Sequence, residues 1–134
     1  MITQVNKDII LDLFKALISS EQDYKNKVKT SEINKDGLSV LNCFNGLLLY
    51  LKGEFTSALR YFKDAEILVS NNGSNEEIIL YNFLLGYVNF CEKNNNLYML
   101  HYNKSLEIAN NNDLKEYLSG FPVIKRSPHL SAIA

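Results

Sequence analysis

The sequence predicts an all-α fold: stacked antiparallel helical hairpins, about five to six helices in a single domain. Three observations predict it. Apolar residues recur at spacings of three and four along most of the chain, which places them on one face of a helix. The stretches so marked are joined by tight breaks, "KGEF" at 52–55 and "KNNN" at 93–96. The chain also repeats itself, since a helix apolar on nearly every side, a short turn and an amphipathic helix occur twice.

The elements follow in order within a domain spanning 1–120. Val5, Ile9, Ile10, Leu13, Phe14, Leu17 and Ile18 form one stripe, which predicts an N-terminal helix over 4–26. "KTSEINKDG" breaks the pattern as a loop. The first hairpin covers 39–70. Its first helix is apolar nearly all round, with Asn42, Asn45 and Gly46 as the exceptions, and such a helix is covered on more than one side. Its second helix turns Phe55, Ala58, Leu59, Phe62, Ala65 and Val69 one way and mostly polar residues the other. In "NNGSNEE", Ser74 followed by Glu77 fits a capping box, each side chain satisfying an orphan amide at a helix start. The second hairpin covers 75–110, and a short helix over 114–119 follows. Residues 121–134 hold both prolines and read as an extended or disordered tail.

Charge and composition exclude some classes of function. Net charge is −1 and pI about 6.1, against the clustered basic surface that phosphate binding needs, so no nucleic-acid partner is expected. Lys25, Lys27 and Lys29 have Glu21, Asp23 and Glu32 close by and read as a solvated helix end. A helix-turn-helix DNA reader also joins two helices by a glycine-containing turn. Its recognition helix here, Glu54 to Ser70, offsets Arg60 and Lys63 with Glu54, Asp64 and Glu66. The longest apolar run, Leu47 to Leu51, is far short of the roughly 20 residues that span a bilayer, so no membrane insertion is expected. Lys7, Asp8, Asp12 and Lys15 interrupt any secretory h-region, and the expected location is cytoplasmic. Cys43 and Cys91 lie in apolar helical stretches and read as buried, inert thiols.

Little in the chain can carry chemistry. It has no glycine-rich phosphate loop, no Cys-x-x-Cys and no His-Glu-x-x-His. His101 reads as a partly buried, hydrogen-bonded ring on an amphipathic helix, and His129 lies in the tail. No nucleophile, base and orienting group can be brought together, so no enzyme, no metal and no cofactor is expected.

Gly46 and Gly86 stand 40 residues apart, and "LNCFNGLLLYL" superposes on "LYNFLLGYVNF" with Asn42 over Asn82. A glycine within a helix is tolerated where another backbone comes close. Ala58, twelve residues after Gly46, lies on the facing helix, and together they would bring the two helices near the short end of the usual separation. The spacing Gly46, Leu49, Gly53, Phe55, Ala58, Phe62, Ala65 resembles the tetratricopeptide (TPR) repeat, a helix-turn-helix unit of 34 residues. One unit covers about Ser39 to Asn72 and a second about Ile79 to Asn112. The second departs from the first. Tyr98 stands where Ala58 stands, Ser105 replaces Ala65, and Asn95 is opposite Phe55, which predicts a splayed or repacked hairpin.

The resemblance implies a concave groove lined by the first helix of each hairpin. Val40, Cys43, Leu47 and Tyr50 would come from the first and Leu80, Phe83, Tyr87 and Phe90 from the second. Such a patch exceeds what a monomer usually leaves bare. Three covers are open: an apolar peptide or helix of a partner protein, the N-terminal helix with Ile9, Leu13, Phe14 and Leu17, or a second copy in a homodimer. The expected function is a non-enzymatic adaptor or chaperone that holds an apolar segment of another protein. A regulatory or peptide-sensing module and a structural subunit of a larger assembly are the alternatives. In size and apolar groove the chain is similar to the small TPR chaperones of bacterial type III secretion, whose third repeat would here have to come from the N-terminal helix.

Overall fold

Among the described residues seven helices form, because the chain is capped and broken where its periodic stripes end. The computed structural model describes residues 6–31, 33 and 38–124, and among these there is no strand. The helices are α1 (Lys7–Ser19), α2 (Glu21–Thr30), α3 (Leu38–Leu51), α4 (Phe55–Asn72), α5 (Asn75–Cys91), α6 (Asn95–Asn111) and α7 (Lys115–Ser119). The tail beyond residue 124 lies outside the described residues.

The helix expected over 4–26 is two helices. Ser20 breaks it with an extended backbone, φ −171° and ψ 161°. The same residue serves both ends: its N–H donates to the Ala16 carbonyl, and its Oγ accepts from the Asp23 amide at 3.0 Å. A serine followed three residues later by a carboxylate marks a helix start. Here that signal outweighs a stripe that looks continuous.

The two hairpin turns are copies of each other. Gly53 and Lys93, 40 residues apart, both adopt left-handed backbone, at φ 84° and φ 63°. In each turn the next amide reaches back five residues, Glu54 to the Leu49 carbonyl at 2.9 Å and Asn94 to the Asn89 carbonyl at 2.8 Å. This closes the orphan carbonyls of the first helix and turns the chain through a tight corner. Asp113 repeats the device between α6 and α7, with φ 58° and a 2.9 Å bond from Leu114 to the Ala109 carbonyl. The capping box at the start of α5 has both halves, Glu77 N–H to Ser74 Oγ at 3.2 Å and Ser74 N–H to Glu77 Oε1 at 2.8 Å.

Consecutive helices pair as hairpins, α1 with α2, α3 with α4 and α5 with α6. α5 packs on both α3 and α4, and α7 closes against α6. The core runs through all three pairs. Ile10, Leu13, Phe14 and Leu17 of α1 are buried, and Phe14 sits edge-on to Phe44 of α3 at 5.4 Å and to Phe83 of α5 at 6.2 Å. Tyr24 fastens α2 to α3, its ring against Phe44 and its hydroxyl donating to Asn45 Oδ1 at 2.9 Å. Tyr117 ties α7 to the start of α5 by donating to the Glu76 carbonyl at 2.9 Å.

Candidate aromatic cleft between α5 and α6

The site begins with a difference between the two hairpins. In the first, Ala58, Phe62 and Ala65 are buried against α3. A Cβ added to Gly46 would come within 2.9 Å of the Phe62 ring, so the glycine makes room for that ring rather than for a second small residue. In the second hairpin Tyr98 and Tyr102 occupy the positions of Ala58 and Phe62. A Cβ on Gly86 would meet α6 at ordinary contact distance, the nearest atoms being the Tyr102 amide nitrogen at 3.5 Å, the Tyr98 carbonyl oxygen at 3.6 Å and the His101 Cβ at 3.7 Å. Tyr98 instead stacks on Tyr102 at 5.9 Å and 25°, and leans against Phe90 at 5.2 Å.

The second hairpin nevertheless stays closed at its far end. Ser105 is fully buried and donates to the Ile79 carbonyl at 3.1 Å, which satisfies its hydroxyl where Ala65 has none. The departures noted in the sequence are therefore accommodated locally: at Gly86 the α6 backbone of Tyr98 and Tyr102 stays close to α5, and the two tyrosine rings stand beside that contact. The result is a cleft of about 230 Å³ lined by Phe83, Gly86, Tyr87, Phe90, Tyr98 and Tyr102. A second cleft of about 350 Å³ shares Phe83 and Tyr102 as walls and runs on past Leu106 to Lys115 and Leu118 of α7. Phe90 is 58% exposed at this surface, and Met99, on the stripe of α6 that holds Tyr102 and Leu106, is 48% exposed.

The residues that the repeat resemblance places on a groove fall into two sets. Val40, Cys43, Leu47, Tyr50 and Leu80 are 0–4% exposed. They are interior, in one core with Ile10, Leu13, Phe14 and Leu17 of α1, where Phe14 lies between Phe44 and Phe83. Phe83 and Tyr87 are half-buried, and with Phe90 they line the α5–α6 cleft. Tyr98 and Tyr102 complete that cleft from α6. The sequence signal for them was Tyr98 standing in a position that the first hairpin gives to alanine.

The polar groups nearby are structural. Tyr50 Oη donates to Glu92 Oε2 at 2.6 Å, joining the end of α3 to the end of α5, and burial together with this bond holds the phenol well above its usual range. Asn82 Nδ2 donates to the Ile78 carbonyl, which leaves its Oδ1 facing His101 Nδ1 at 2.9 Å. The proton therefore sits on Nδ1 of the neutral ring. Burial, then the neighbouring Lys104, lowers the His101 pKa. Cys43 is buried and its thiol is pushed far up by that burial, which keeps it unreactive, while Cys91 is half-buried; both are free thiols. Lys27 and Lys29 lie exposed in the last turn of α2, and Lys25 pairs with Glu21 at 3.0 Å.

Among the described residues no group of three His, Cys, Asp or Glu side chains could hold a metal ion, and no helix is long and apolar enough to cross a membrane. What the cleft offers is apolar surface and aromatic faces. Set against known protein families, curated proteins and solved structures, the chain matches none of them.

Proposed function

We propose that this is a non-enzymatic, cytoplasmic protein-binding module of TPR-like helical hairpins, an adaptor or chaperone that holds an apolar segment of a partner in the α5–α6 cleft. The observation that carries the reading is the placing of Tyr98 and Tyr102 where the first hairpin has Ala58 and Phe62. The exchange sets two stacked tyrosine rings beside a close α5–α6 contact, where they wall an accessible aromatic cleft. Rigid aromatic anchors concentrate binding energy at interfaces because they bring large area at low entropic cost. Tyrosine hydroxyls add donors for the backbone carbonyls of an extended segment. The two adjoining clefts together reach the size of ordinary ligand sites, roughly 300–1,000 Å³.

Affinity capture from native lysate tests this, with wild type beside a Phe90→Glu/Tyr98→Glu variant shown by circular dichroism to keep its helix content. One partner retained by wild type and lost by the variant is the expected result. Equal retention by both, or none by wild type, contradicts the reading.

A further inference from the structure

The chain supplies its own candidate for what this face accepts. After α7 it turns at Gly120 and leaves helical structure, and the Phe121 amide donates to the Leu118 carbonyl at 3.2 Å. Pro122 fixes its own φ and biases Phe121 toward extended backbone. The Phe121 ring enters a cage of three rings from three helices: Tyr117 of α7 at 4.9 Å, Phe83 of α5 at 4.9 Å and Phe14 of α1 at 5.2 Å. Ile124, three residues on, also packs against the core, while Val123 between them is 81% exposed. Among the described residues no backbone hydrogen bond ties 122–124 to a helix, and the segment is held by the Phe121 amide on the Leu118 carbonyl and by side-chain packing. Two half-buried side chains, Phe121 and Ile124, flank a half-buried proline and an exposed valine, the pattern of a peptide laid on a surface rather than of a core strand or helix.

Two further observations separate this segment from the permanent core. Phe14 already has Phe44 as a partner at 5.4 Å and does not depend on Phe121 for its place. Phe83, which Phe121 covers, is also a wall of both α5–α6 clefts. Phe83 is therefore shared between the clefts and the Phe121 contact.

We propose that residues 121–124, Phe-Pro-Val-Ile, are a displaceable in-chain ligand. The partner segment, on this account, has the same chemistry: an aromatic residue, a proline, and an aliphatic residue three positions after the aromatic. This rests on the reading of the α5–α6 face as the partner site. In the free protein the in-chain segment occupies one side of Phe83, and it lowers the apparent affinity for an outside segment by the fraction of molecules in which it is seated.

The probe is a fluorescein-labelled peptide, Ser-Gly-Phe-Pro-Val-Ile-Lys-Arg, titrated into the full chain and followed by anisotropy. The Phe121→Ala chain, its vacated cage intact, binds it at least about tenfold more tightly than wild type. A peptide with alanine in place of its phenylalanine does not bind. Equal affinity of the two chains, or no binding by a Phe121→Ala chain with wild-type helix content, overturns the proposal. Should Phe121→Ala not fold, Ile124→Ser loosens only the outer anchor. A severalfold gain in affinity is then expected, and no gain overturns the proposal. The Phe121→Ala/Tyr98→Glu chain separates this idea from the cleft reading. Peptide binding there, with lysate capture insensitive to Tyr98, leaves the in-chain ligand standing and removes the cleft. Capture lost in Phe90→Glu/Tyr98→Glu with no peptide binding by Phe121→Ala does the reverse.

Discussion

At the residue scale, equivalent positions of the two hairpins make opposite demands. Gly46 has the Phe62 ring 2.9 Å from where a Cβ would sit, whereas Gly86 has only ordinary contacts. Alanine in a helix interior gains about 1 kcal/mol over glycine, and overpacking a buried ring costs roughly 1–3 kcal/mol. Gly86→Ala is therefore neutral to stabilising, by up to about 1 kcal/mol. Gly46→Ala is net destabilising, by about 1 kcal/mol, as overpacking outweighs propensity. Urea melts of the two variants check this. The turns give a second pair. Lys93 holds the left-handed conformation that Gly53 adopts without strain. Lys93→Gly then stabilises by about 1 kcal/mol, the usual cost of a side chain in that region, and Gly53→Ala destabilises by at least as much. His101 gives a pH dependence. Its folded pKa lies below the ordinary 6.5, so the unfolded chain takes up the proton first. Stability falls as pH drops below about 6.5, and His101→Gln, which keeps a donor for Asn82, flattens that slope in thermal melts at pH 5 and pH 7.

Between elements, most boundaries were legible in the sequence and one was not. The capping box at Ser74, the turns at Gly53 and Lys93 and the short last helix follow from local chemistry that tertiary packing did not override. The break at Ser20 was hidden, because the apolar stripe before it runs to Ile18 and the polar residues after it are compatible with the exposed end of one helix. The signal was present as Ser20 followed by Asp23. The role of α1 is the larger lesson. A helix that is apolar on every side, like α3, states that it is covered but not by what. The buried Ile10, Leu13, Phe14 and Leu17 show that the chain itself covers the inner face. Phe14→Ala is accordingly expected to cost about 3–5 kcal/mol, the range for removing a buried phenylalanine. A loss below about 1 kcal/mol in chemical denaturation would mark α1 as a loosely docked arm.

For the whole molecule, the described helices bury a shared core and leave an aromatic cleft beside α5 and α6. The cleft comes from a local failure of repetition: where the first hairpin has Ala58 and Phe62, the second has Tyr98 and Tyr102, a half-buried stacked pair beside the helix contact. Repeat-like spacing was therefore informative about architecture. The deviation from it was informative about the site. Of the eight groove residues read from the resemblance, only Phe83, Tyr87 and Phe90 line the cleft, because the spacing of a helix fixes its faces and leaves open which face the rest of the chain will occupy.

The most direct test restores the repeat. In Tyr98→Ala/Tyr102→Phe the second hairpin receives the residues of the first, and the stacked tyrosine pair that walls the cleft is lost. Partner retention is then measured by quantitative affinity capture beside wild type. The account predicts a folded protein, at least as stable as wild type, that no longer holds the partner. Undiminished retention by a folded variant would contradict it, and would place the binding surface elsewhere on the molecule.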